Sequence, residues 1–74
     1  MPPKIRELKA ILANAGFVER KGRGKGSHSL WKHPAEPGTV VNLAGKDGSD
    51  AHAYQERDVQ RAIARVRRAE PEPN

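Results

Sequence analysis

Apolar residues at both ends of this chain recur at helical spacing, and glycine and proline cut the stretch between them into pieces too short for a helix. In MPPKIRELKAILANAG, Ile5, Leu8, Ile11, Leu12 and Ala15 fall on one helical face. Pro2 and Pro3 suit a first turn and Gly16 suits a left-handed C-terminal cap, so the spacing predicts a helix over Pro3–Ala15. Toward the other end, Val59, Ile63 and Val66 recur at i, i+4 and i+7 in a second helix that stops before Pro71. Between them, Phe17–Lys21 reads as a strand, Gly22, Gly24 and Gly26 as a flexible basic turn, and Ser27–His33 as a second strand stopped by Pro34. The AEPG segment then reads as a turn into a third strand, Thr39–Leu43, followed by a loop at Gly45–Asp50. Both apolar stripes have to share one core in so short a chain. Two helices on one face of a three-stranded antiparallel sheet, in the order α-β-β-β-α, is the simplest α+β arrangement that buries both. Residues 1–70 are expected to form a single domain and residues 71–74 a disordered tail with nothing to bury.

A chain of 74 residues buries only roughly 60% of the surface that its unfolded form exposes, which leaves little room for an enclosed substrate cavity. An active site belongs on an open surface, where a polymer fits better than a small metabolite. With 14 Lys and Arg against 9 Asp and Glu, the net charge is +5, and nucleic acid is the natural polyanionic partner. No Lys-rich helix carries the bulky apolar face of an interfacial anchor, and no segment reaches transmembrane length, so no membrane partner is expected. Charges at Lys4, Arg6, Glu7 and Lys9 rule the N-terminus out as a signal peptide, and the expected location is the cytoplasm. The count of 0 Cys excludes disulfides and thiolate sites, and His28, His33 and His52 lack zinc-site spacing. GKDGSD lacks the ligand pattern of a calcium loop, and KGRGKGS lacks that of a nucleotide-binding loop. Neither a metal nor another cofactor is expected.

The string KGRGKGSHSLWKHP places Lys21, Arg23, Lys25, Ser27 and Lys32 around His28, with glycines that let the backbone approach a phosphate chain. RNA carries its own nucleophile in the 2′-hydroxyl. A histidine that moves its proton, with cations that support the phosphate, can therefore cleave the strand without a metal. In this reading His28 is the acid or base, Lys25 or Lys32 stabilises the phosphorane, and His33 is the candidate second proton-transfer group. In a regular strand His28 and His33 point to opposite faces, and only a twist or bulge near Pro34 would bring them together. The competing reading makes His28 an ordinary strand residue beside a solvated basic loop. The face it occupies depends on which neighbour is core. If Trp31 packs inside, His28, Leu30 and Lys32 turn outward; if Leu30 does, His28 lies on the helix side. Trp31 itself suits either core packing or stacking on an unpaired base. His52 has no evident partner. On the second helix Arg57, Arg61, Arg65 and Arg68 form one stripe opposite the apolar residues, either a solvated face or a contact for RNA backbone or a partner protein.

Taken in order, a helix ending in Gly16-Phe17, a basic link, Gly26-Ser27-His28 at the start of a strand, and His33-Pro34 at its close resemble the HicA toxins over nearly the whole chain. The resemblance implies a double-stranded-RNA-binding-domain-like fold and an mRNA interferase activity that inhibits translation. It also implies a catalytic role for His28 and a HicB-type antitoxin that blocks the toxin. The chain departs from the commonest family pattern after the third strand, where a proline and a histidine usually precede a glycine-lysine turn. Here Leu43–Asp50 forms a longer acidic loop instead. The alternatives are a non-catalytic RNA-binding module and an inactive toxin homologue that keeps only its antitoxin contact.

Overall fold

The computed structural model describes residues 2–20 and 28–69; the expected tail at 71–74 and Lys21, Arg23, Lys25 and Ser27 of the basic turn lie outside the described residues. The elements run α1 (Ile5–Asn14), β1 (Val18–Arg20), β2 (His28–His33), β3 (Glu36–Ala44) and α2 (Ala53–Ala69). The sheet is antiparallel with β2 in the centre, and both helices cover one of its faces. This is the expected α-β-β-β-α arrangement, similar to a double-stranded-RNA-binding domain.

The first helix starts later than Pro3. Pro3 and Lys4 are drawn out against the loop after β3, where Ala51 donates its N–H to the Pro3 carbonyl at 2.7 Å and Lys4 bridges to Asp50. The free N–H groups of the first turn are satisfied from the same loop, Ile5 donating to the Ser49 carbonyl at 2.9 Å and Arg6 to that of Asp47 at 3.1 Å. Glu7 closes the turn by accepting the Lys4 N–H at 2.9 Å. At the other end Gly16 takes a φ of +96°, with Gly16 N–H donating to Ala13 and Phe17 N–H to Leu12, the paired bonds of a Schellman cap. Gly16 thus caps the helix as its position in the sequence suggests.

The core joins Ile5, Leu8 and Leu12 of α1 and Phe17 to Trp31, Val41 and Leu43 of the sheet and Val59, Ala62 and Val66 of α2. Two members of the expected stripes sit differently: Ile11 is 45% exposed, and Ile63 is partly buried while Ala62 packs inside.

The AEPG turn is corrected. The chain reverses at Pro34-Ala35, and Glu36, Pro37 and Gly38 already belong to β3. His33 pairs with Glu36, and the register then jumps to Lys32 opposite Val40, leaving Pro37, Gly38 and Thr39 without partners on β2. Pro37 is tolerated because β3 is an edge strand, with no ladder bond required on its outer side.

Candidate functional site

Burial alternates cleanly along β2, with Ser29, Trp31 and His33 on the helix side and His28, Leu30 and Lys32 on the open side. Trp31 decides this orientation. Its indole N–H donates to Ser29 Oγ at 3.1 Å, two residues back on the same face, and Ser29 Oγ donates to the Leu43 carbonyl at 3.4 Å. The ring is 6% exposed and serves the core, so it offers no platform for a base.

The pairing lays the open face out as rows across the strands. Val18, Lys32 and Val40 form one row, Arg20, Leu30 and Asn42 the next, and His28 stands beside Ala44 in the last. His28 is exposed at the β2 end that adjoins the basic turn. Lys32 shares its face but lies four residues along the strand, about 13 Å away at a rise of about 3.3 Å per residue. Among the described residues the nearest polar side chains on adjacent strands are Arg20 and Asn42, both exposed and both diagonal to His28, a neighbour spacing of about 7–8 Å. Sequence reasoning missed both. Strand alternation would have found them once the β1–β2 and β2–β3 registers were known.

His33 occupies the opposite face. The register irregularity next to it does not turn it toward His28, and it is 8% exposed. Its Nδ1 accepts the Ala35 N–H at 3.0 Å, which places the proton on Nε2, and Nε2 donates to the Ala15 carbonyl at 3.2 Å. Its ring meets Phe17 edge-on, with centroids 5.1 Å apart. Both nitrogens are thus committed to joining the α1 cap to the β2–β3 turn. Gly16 makes room for the ring, since a Cβ there would stand 2.7 Å from Nε2.

The remaining candidates are on the helix side of the molecule. His52 is exposed and stacks on Tyr54, ring centroids 5.8 Å apart. Arg57, Arg61, Arg65 and Arg68 are all exposed along α2. Gln55, which sequence reasoning also missed, is 2% exposed. Its amide donates to the Ala44 carbonyl at 2.8 Å and its Oε1 accepts the His52 N–H at 2.8 Å. It therefore pins the start of α2 to the end of β3 that pairs with His28. The available signal was a Gln three residues after a helix cap. Among the described residues no three His, Asp or Glu side chains group as a metal site. No helix among the described residues is long and apolar enough to cross a membrane.

Among the described residues the arrangement is an exposed histidine with a cationic, partly apolar sheet face around it. Comparison with curated proteins and with solved structures gives no match. A family model described as the HicA toxin of bacterial toxin-antitoxin systems matches residues 5–65, from the first residue of α1 through all three strands and into α2. The match takes in His28, its sheet face and the Gly16 cap, and the chain belongs to the HicA toxin family.

Proposed function

We propose that this HicA-family toxin is a metal-independent endoribonuclease that cleaves mRNA in the cytoplasm, inhibits translation, and is held in check by a HicB-type antitoxin. The observation that carries the reading is the exposure of His28 on the open sheet face of a chain matched to the family from residue 5 to residue 65. An RNA strand lies along β2 on that face. Lys32 takes a phosphate at one end, the basic turn with Lys21, Arg23, Lys25 and Ser27 takes those at the other, and Leu30 packs against sugar or base between them. His28 removes the proton from a 2′-hydroxyl, whose oxygen attacks the adjacent phosphorus as the bond to the 5′-oxygen breaks. The products carry a cyclic phosphate and a free 5′-hydroxyl. Arg20 and Asn42, diagonal to His28, are placed to support the charge that develops on the phosphate. The engagement of both His33 nitrogens leaves solvent to protonate the leaving oxygen on this open face.

The test compares wild type with His28→Ala on a single-stranded RNA, with a chelator present and DNA of matching sequence as control. General acid–base catalysis contributes about 10²–10⁴-fold, so the variant should lose at least about 100-fold in cleavage. Because His28 is exposed, its unfolding free energy should stay within about 0.5 kcal/mol of wild type. RNA that is bound but never cut by the wild type would replace this reading with a binding module.

A further inference from the structure

A groove of about 440 Å³ runs between the outer edge of β3 and α2 and does not include His28. Five consecutive β3 residues, Gly38–Asn42, form one wall, so the groove follows the outer edge of the strand. Asp58, Arg61, Ala62 and Arg65 of α2 form the other wall. We propose that this groove docks an extended acidic segment of a partner protein, which adds to the sheet beside β3 and sets its carboxylates against Arg61 and Arg65.

Each part of the groove fits such a segment. The free edge of β3 presents a row of backbone N–H and C=O groups that another extended backbone can pair with. The hydrogen bond from Gln55 to Ala44 ties the start of α2 to the end of β3, so the helix runs back along the strand and keeps its arginines beside the edge. Arg61 and Arg65 are one turn apart, a rise of about 6 Å. Side chains on one face of an extended segment repeat at about 6.7 Å, so acidic residues at alternate positions meet the two arginines in turn. Neither arginine forms an ion pair with a described residue. Thr39 adds an independent sign. It is 5% exposed, it lines the groove, and its Oγ1 has no hydrogen-bond partner among the described residues. A buried hydroxyl without a partner calls for an explanation, and the groove it borders is where a docked polar group comes nearest to it.

Other occupants fit less well. The apolar side chains of Val41 and Ala62 disfavour a phosphate backbone, which also has no amide groups in strand spacing to pair with the β3 edge. A second copy of the chain docked edge to edge would bring its own arginine stripe toward these arginines. The inference does not depend on ribonuclease activity, because the groove lies along the β3 edge and does not include His28; Asn42 is the one residue that the two readings share.

The test uses the full chain and NMR. The probe is a blocked peptide of alternating Glu and Val, long enough to span Gly38–Asn42, added to millimolar concentration. The expected result is a shift of the Gly38–Asn42, Arg61 and Arg65 amide resonances with a Kd in the range of about 0.1–1 mM. The affinity should fall about tenfold in the double variant Arg61→Ala/Arg65→Ala. It should also be lost when Lys replaces Glu in the peptide, or when alternate peptide nitrogens are methylated. Thr39→Val, which keeps the side-chain shape, should weaken binding severalfold. Absence of shifts at this edge, binding indifferent to the two arginines, or the same resonances responding to a short single-stranded RNA but not to the peptide would each overturn the proposal. Full affinity in Thr39→Val would remove the hydroxyl from the site.

Discussion

Replacing His33 with Ala separates a structural histidine from a catalytic one. The change removes the acceptor of the Ala35 N–H and the donor to the Ala15 carbonyl, each worth about 1 kcal/mol net. It also removes the edge-on contact with Phe17, worth about 0.5–1.5 kcal/mol beyond the area buried. The sum is about 3 kcal/mol, a large share of the stability of so small a domain. Because each kcal/mol moves Tm by about 4–8 °C in a domain of this size, the midpoint should fall by about 12–24 °C. Urea unfolding followed by fluorescence measures the loss, since Trp31 is 6% exposed in the fold and becomes solvated on unfolding. RNA cleavage is then measured at a temperature where the variant is still folded, and the rate per folded molecule should stay within about threefold of wild type, well short of the loss expected when a general acid or base is removed. The reasoning is refuted if stability changes by less than about 0.5 kcal/mol while cleavage falls by about 100-fold or more. His33 would then act on RNA, and its contacts with Ala15 and Ala35 would count for little.

The other predictions rest on single contacts. Gly16→Ala forces a Cβ into a left-handed conformation and to 2.7 Å from His33 Nε2, and should cost about 2–3 kcal/mol in the same urea assay. Gly38→Ala, with nothing within 4 Å of the new Cβ, should stay within about 0.5 kcal/mol. Gln55→Ala strips the Ala44 carbonyl and the His52 N–H of their partner. It should cost about 2 kcal/mol and shift the His28 ring resonances through the Ala44 pairing. Asp47→Asn and Asp50→Asn break ion pairs whose carboxylate side chains are 64% and 57% exposed, so each should cost less than about 1 kcal/mol.

The local signals in the sequence were legible where one residue type answers one geometric need. Gly16 marks the end of α1 because the cap needs a positive φ, and the three strands follow the breakers that bound them. Helical periodicity placed Ile11 and Ile63 in the core stripes. It could not weigh two adjacent positions on the rim of a face, and packing favoured Leu12 and Ala62. The turn before β3 was misplaced because AEPG has turn composition, whereas the reversal at Pro34-Ala35 is held by a side chain, His33, accepting the Ala35 N–H. The buried polar residues were the least legible. His33 and Gln55 are satisfied by backbone carbonyls 18 and 11 residues away, and no local pattern announces such partners. The face of His28 turned on whether Trp31 or Leu30 went inside, which the Ser29 hydroxyl settled by pairing with the indole N–H.

The acidic loop after β3 holds its charge within the fold. Asp47 and Asp50 pair with Lys9 and Lys4, and the loop's carbonyls cap α1. Its negative charge is thus neutralised on the α1 side of the molecule, while Arg20 and Lys32 stay on the open face and the arginines stay along α2. Two cationic surfaces result, one around His28 and one along the β3 edge. On the two proposals made above, an acidic segment seated on the β3 edge leaves His28 uncovered. Such a segment supplied as a peptide should lower cleavage by no more than Asn42 contributes, and full inhibition should require a partner that also reaches the open face. An antitoxin could therefore hold the toxin by the edge while a separate contact blocks the strand path, and loosening the second contact alone would restore cleavage in a complex that stays assembled.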